Sequence, residues 1–139
     1  MDGTNRGTIA GQTQLNITLS HPITLGISTG VQTVTTAAET FTFGMPNANA
    51  DILATLAADQ TRAAIFVYEK GDLLFDGTAA ADRRIGFFLQ DNAANVLNTA
   101  GGRLFDNAVG YAIPEPGSFS LATIAVASLI GLRRRRGQP

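Results

Sequence analysis

Short runs of strictly alternating apolar and polar residues, each cut off by a turn, constrain this chain more than any other feature. Leu15, Ile17 and Leu19 alternate with polar residues in "QTQLNITLSHPITLGIST", and Ile23, Leu25 and Ile27 do so again after His21-Pro22. A period of two sends one set of side chains to a core and the other to water, as in a half-buried strand. "ETFTFGM" repeats the pattern with Phe41 and Phe43 and halts at "PNANAD". "AAIFVYEKGDLLFDG" predicts a strand over 64–69, a turn at Gly71-Asp72 and a short strand over 73–75, paired as a hairpin. Further strands are expected near 85–90, 96–98 and 103–113, separated by Asp-Asn and Gly-Gly turns. Only "NADILATLAADQTRAA", with Ile52, Leu53, Leu56 and Ala57 at helical spacing, predicts a short helix. The expected fold is mostly β: an antiparallel β-sandwich, jelly-roll-like, formed by a body of residues 1–112. At 139 residues the whole chain is one domain's worth.

Charge is distributed unevenly. The formal net charge of −1 conceals a body, residues 1–117, that holds all eleven acids against six bases and so carries −5. The other four bases are Arg133, Arg134, Arg135 and Arg136. An acidic body repels nucleic acid, whose binding needs a basic surface to displace phosphate counterions. The absence of cysteine excludes disulfides, thiolate metal sites and a cysteine nucleophile.

The last stretch, "AIPEPGSFSLATIAVASLIGLRRRRGQP", is built differently. Ile113 and Glu115 each precede a proline, which drives their backbones toward extended conformations. Neither Pro114 nor Pro116 can donate to a sheet ladder, so residues 113–117 form an extended linker that a protease or transpeptidase can grip. Ser118 is a suitable N-cap for the fifteen uncharged residues 118–132. As a helix these span about 22 Å at 1.5 Å per residue, against roughly 30 Å of hydrocarbon, so a membrane span here is short and relies on snorkelling arginine stems. The arginine cluster within 133–139 resists translocation and stays cytoplasmic, which places the body on the far side. A lone Pro-Glu-Pro, a lone short apolar run or a lone basic cluster carries little meaning. Their order and close spacing in the last twenty-six residues do.

This tail resembles the PEP-CTERM sorting signal of exported bacterial proteins, which membrane enzymes called exosortases process. The match runs over 113–136: the tripeptide Pro114-Glu115-Pro116, the apolar helix and Arg133 to Arg136. The resemblance implies export, transient anchoring in the inner membrane by the tail, cleavage near the tripeptide, and release or attachment at the outer surface. It also implies hosts that make exopolysaccharide and biofilm. In that role Pro114 and Pro116 hold the extended shape, Glu115 is the side chain to be recognised, and the arginines set topology. More weakly, "RLFDNAVGYAIPEP" is similar to the closing strand of carbohydrate-binding-type sandwich domains, with extracellular polysaccharide as the implied ligand.

The pattern has one gap. Residues 1–15, "MDGTNRGTIAGQTQL", contain no charged-then-apolar arrangement and no Ala-x-Ala, so the start of the reading frame is expected to lie upstream and the sandwich to be truncated.

Within the body, His21 is the only histidine and no serine sits in a Gly-x-Ser-x-Gly elbow, so a Ser-His-Asp triad is not indicated. Asp72, Asp76, Asp82, Asp91 and Asp106 fall in or near turns without the spacing of a calcium loop and read as solvated acids. Phe87 and Phe88 are adjacent, so a strand would point one ring inward and one outward. The reading is a non-enzymatic binding or structural protein with no catalytic residue, metal or cofactor assigned. Its rivals are an extracellular polysaccharide-acting enzyme with an unrecognised site, and a tail-anchored protein that is never cleaved.

Overall fold

The structure, a computed structural model, describes residues 6–113. The body is mostly β and antiparallel, as the alternation predicts. Its strands are β1 (Arg6–Gln12), β2 (Gln14–Ile17), β3 (Gly30–Thr33), β4 (Glu39–Gly44), β5 (Asp51–Leu56), β6 (Ala63–Tyr68) and β7 (Arg84–Gly86). They form one sheet in the order β1-β4-β6-β5-β2-β3, with β7 added to β6. α1 (Thr99–Ala112), the one long helix among the described residues, follows.

The sheet forks beside β6. β4 meets β6 at the pair Gly44↔Ala63, and β7 then takes over the same edge, with Phe66 opposite Gly86 and Tyr68 opposite Arg84. The chain leaving β7 returns to β4, where Thr42 donates from its N–H to the Phe88 carbonyl (2.9 Å) and from its hydroxyl to the Phe87 carbonyl (2.8 Å). A fork of this kind opens a gap between strands that side chains must fill.

The core gathers Leu15 and Ile17 from β2, Phe41 from β4, Leu53 and Leu56 from β5, and Ile65 and Val67 from β6. Ile23, Val34, Phe88, Leu104 and Ala108 join it from outside the sheet. α1 contributes Gly101, Leu104 and Ala108, all buried, at the three-and-four spacing of one helix face. Its start is fixed by Asn98, whose Oδ1 accepts from the N–H groups of Ala100 and Gly101, both at 3.0 Å. The Nδ2 of the same side chain donates to the Thr33 carbonyl at 2.8 Å, so one residue caps the helix and pins it to β3.

Several local expectations are corrected. The segment expected as a strand over 103–113 is the body of α1, and the Gly101-Gly102 turn is its first turn. The predicted helix at Ile52–Ala57 is β5: Leu53, Ala54, Thr55 and Leu56 are all buried, so a strand covered on both faces shows no alternation. Ile23 does not continue a strand, because Pro22 and His21 set up the 3-10 turn Pro22–Thr24. Near 96–98 the chain forms the end of the 3-10 turn Ala93–Val96 and the helix cap. The expected hairpin partner of β6 at 73–75 is replaced by β7, and Leu73 makes only a bridge to Ala79. Asp106 and Asn107 lie on α1, where Asn107 Nδ2 donates to the carbonyls of Ile23 and Leu25, each at 3.1 Å.

Among the described residues no helix is long and apolar enough to cross a membrane. The apolar helix expected over 118–132, Pro114-Glu115-Pro116 and the four arginines lie outside the described residues.

Candidate functional site

What the structure does describe of the tail is its root. α1 ends at Ala112, one residue before Ile113 and two before the first proline of the motif. The last turn is held by Arg83. Its guanidinium stacks 3.7 Å from the Tyr111 ring centroid, donates to the Tyr111 carbonyl, and pairs through Nε with Glu69 Oε2 at 3.1 Å. Tyr111 Oη donates to Glu69 Oε1 at 2.5 Å, and His21 packs edge-on against the Tyr111 ring, centroids 4.7 Å apart. A guanidinium at a helix C-terminus satisfies a carbonyl that has no partner in the helix and suits the negative end of its dipole. The Tyr111 hydroxyl, followed by Arg83, holds the Glu69 carboxyl below its ordinary value of 4.5, and the same hydrogen bond raises the Tyr111 phenol. The four side chains come from distant parts of the chain and work as a clamp on the segment from which the motif departs.

His21 has a second duty. Its Nδ1 accepts the Ile23 N–H at 3.2 Å, while Thr24 Oγ1 accepts the His21 N–H at 2.9 Å, a reciprocal cap on the 3-10 turn. An accepting Nδ1 carries no proton. Partial burial lowers the His21 pKa below 6.5, the charges of Asp51 and Glu69 oppose that shift, and Arg83 adds to it. Because the folded pKa lies below the unfolded one, stability is complete above pH 6.5 and falls as protons bind the unfolded chain first. Glu69, also depressed, adds its own loss only further down, as pH falls below 4.5. His21→Asn keeps a capping acceptor but does not titrate, so its stability should be flat between pH 6.5 and roughly 5, where the parent declines. Urea midpoints across that range measure this, and parallel slopes would place the acid loss elsewhere.

The second feature is a groove of about 570 Å³ at the fork of the sheet. Its floor is aromatic: Phe43 lies across Gly7, its register partner on β1, and Phe66 lies across Gly86, its partner on β7. A Cβ on Gly7 would sit 2.7 Å from Phe43 Cζ, and one on Gly86 would overlap the Phe66 ring, so both rings lie flat only because glycine stands opposite. One wall is the chain after β4. It crosses from one side of β6 to the other and is tied down by the Asn47 N–H donating to Tyr68 Oη (3.1 Å). The Nδ2 groups of Asn47 and Asn49 donate to the Leu73 carbonyl at 3.0 and 3.1 Å, joining that wall to the loop carrying Leu74 and Phe75. Met45 (43% exposed) and Phe75 (64%) stand at the rim.

Charge is arranged by end. Arg6 pairs in register with Gly44, and Arg62 precedes Gly44's other partner, Ala63. The Arg62 guanidinium sits 4.5 Å from the Phe43 ring centroid, with Asp59 at 2.9 Å. At the far end, beside Tyr68, stand Arg84 and Asp76. The Asp76 carboxyl is held low by the Thr78 hydroxyl and N–H, with a smaller contribution from Arg84. A second hollow of about 410 Å³, beside Gly11–Gln14 and Val31, has neither a charged nor an aromatic side chain in its lining.

Two of the other acids singled out in the sequence serve turns: Asp72 Oδ2 accepts the Glu69 N–H at 2.6 Å, and Asp82 Oδ1 accepts the Arg83 N–H at 2.9 Å. Among the described residues no three His, Asp or Glu side chains converge as a metal site would require. Phe88 points inward and is fully buried, while Phe87 is half-buried between core and groove. The sequence reading found neither the groove nor the clamp; the one available signal was glycine facing phenylalanine, which has no meaning until the register is known. No protein-family model, curated protein or solved structure matches this chain at a significant level.

Proposed function

We propose that this chain is an exported bacterial protein of the cell surface or extracellular matrix. In this reading its C-terminal tail is a PEP-CTERM-type sorting signal, processed by an exosortase-like membrane enzyme. The observation that carries the reading is the order within the tail: Pro114-Glu115-Pro116, fifteen uncharged residues, then Arg133 to Arg136. The clamp on α1 supports it from the side of the body, since a substrate motif is presented best when it leaves a fixed point. The tail anchors the precursor in the inner membrane with the body on the periplasmic side. The body, a β-sandwich-like sheet, has a binding or structural role and no catalytic one, and extracellular polysaccharide is a partner that such a location would offer.

The test is the mass of the C-terminus after expression behind a secretory signal peptide, in hosts with and without an exosortase. Loss of the residues beyond the tripeptide, confined to the exosortase host, is the expected result. Replacing Pro114, Glu115 and Pro116 with alanine should abolish that loss. An intact tail in both hosts would leave an uncleaved membrane anchor.

A further inference from the structure

We propose that the groove at the fork of the sheet binds a long-chain carboxylate, its head between Arg6 and Arg62 and its chain along Phe43, Phe66 and Phe75. This does not rest on processing of the tail.

Three observations select the ligand. The floor is apolar, and its rings are laid flat by the glycines opposite them, so the surface offers area and few hydrogen bonds. Between the charged ends the lining has few free polar groups: Thr42 donates to Phe87, and Tyr68, which accepts from Asn47, keeps only its O–H for a ligand. A polyol lying along this floor would therefore recover few of the hydrogen bonds it gives up to water, whereas an alkyl chain gives up none. Charge, finally, is not symmetric. Asp76 stands near Arg84 at one end of the lining, while at the other Arg6 has no carboxylate beside it among the described lining residues; Arg62, just outside the lining over the Phe43 ring, is paired with Asp59. In a body that is acidic overall, a basic end on an apolar groove complements an anionic head.

The experiment is isothermal titration of the full chain with octanoate, decanoate and dodecanoate below their aggregation limits, and with decanol as the uncharged comparison. Affinity should rise about fourfold per added methylene, the equivalent of ~0.8 kcal/mol. Decanol should bind about threefold to tenfold more weakly than decanoate. Arg6→Gln and Arg62→Gln should remove most of that difference and leave decanol unchanged. Phe75→Ala, at an exposed position that does not threaten folding, should weaken both ligands alike. Absence of binding, or equal affinity for decanoate and decanol, overturns the proposal. So does an affinity that none of the three variants changes, because the amphiphile would then be sitting on the uncharged tail. Binding of a soluble glucan in place of decanoate would give the groove to a sugar and overturn it too.

Discussion

Gly101→Ala should destabilise this protein by roughly 3 kcal/mol, although the same change inside an ordinary exposed helix stabilises by about 1 kcal/mol. The reversal comes from packing. A methyl group at Gly101 would overlap the carbonyl oxygen of Val34 and sit 2.7 Å from Leu97 Cδ2. A side chain could rotate away, but a backbone carbonyl beside a pinned helix start cannot. α1 would have to lift from β3, breaking the bonds that Asn98 makes to Thr33 and Val34. Gly102 and Gly110 serve as internal controls, since a Cβ at either meets nothing within 4 Å. Gly102→Ala and Gly110→Ala should each gain about 0.5–1 kcal/mol by propensity alone. Urea unfolding with an unchanged m-value measures all three, and a neutral Gly101→Ala would mean that α1 is packed less closely than described.

Phe88→Ala should cost about 3–5 kcal/mol, a large part of the stability of a domain this size. Phe88 is fully buried, with its ring centroid 4.7 Å from that of Phe41 and 4.9 Å from that of Phe87. Its bond to β4 is made by its carbonyl, which the substitution keeps, so the loss measures the cavity and not the ladder. Phe105, 44% exposed on the outer side of α1 and 6.2 Å from Phe87, provides the contrast. Phe105→Ala should cost less than about 1 kcal/mol. Comparable losses at the two positions would place Phe88 outside the core.

The sheet was legible where one face meets water. β2 alternates, and its inward Leu15 and Ile17, with Phe41 of β4, are among those the period selects, while Leu19 is exposed and Phe43 only half-buried. Legibility ended where burial is two-sided, as in β5, whose Ile52, Leu53 and Leu56 happen to fit a helix. α1 was hidden for the opposite reason. Three glycines, an asparagine and a valine among fourteen residues make a poor helix by propensity, and tertiary packing of Leu104 and Ala108 supplies what propensity does not. Asn98 followed by Leu104 and Ala108 is the signal available, against which the alternation places strands at 96–98 and 103–113 with a Gly-Gly turn between them. The clamp and the groove lie deeper still. The groove is assembled from residues that meet only through pairing register, such as Phe66 and Gly86, and the clamp from residues far apart in the chain that only the packed helix brings together: Glu69, Arg83 and Tyr111.

The place of α1 in the chain governs the order in which the protein can be made. Asn107 bonds to Ile23 across 84 positions, and Asn98 to Thr33 across 65. Emerging from a ribosome in chain order, the sheet is complete before the helix whose start packs on Val34 and whose Asn107 holds the turn at Ile23. Closures over such separations are slow, and this one waits on the fourteen residues of α1. The native core therefore closes only when α1 has been made, and the sheet, though made first, is finished last.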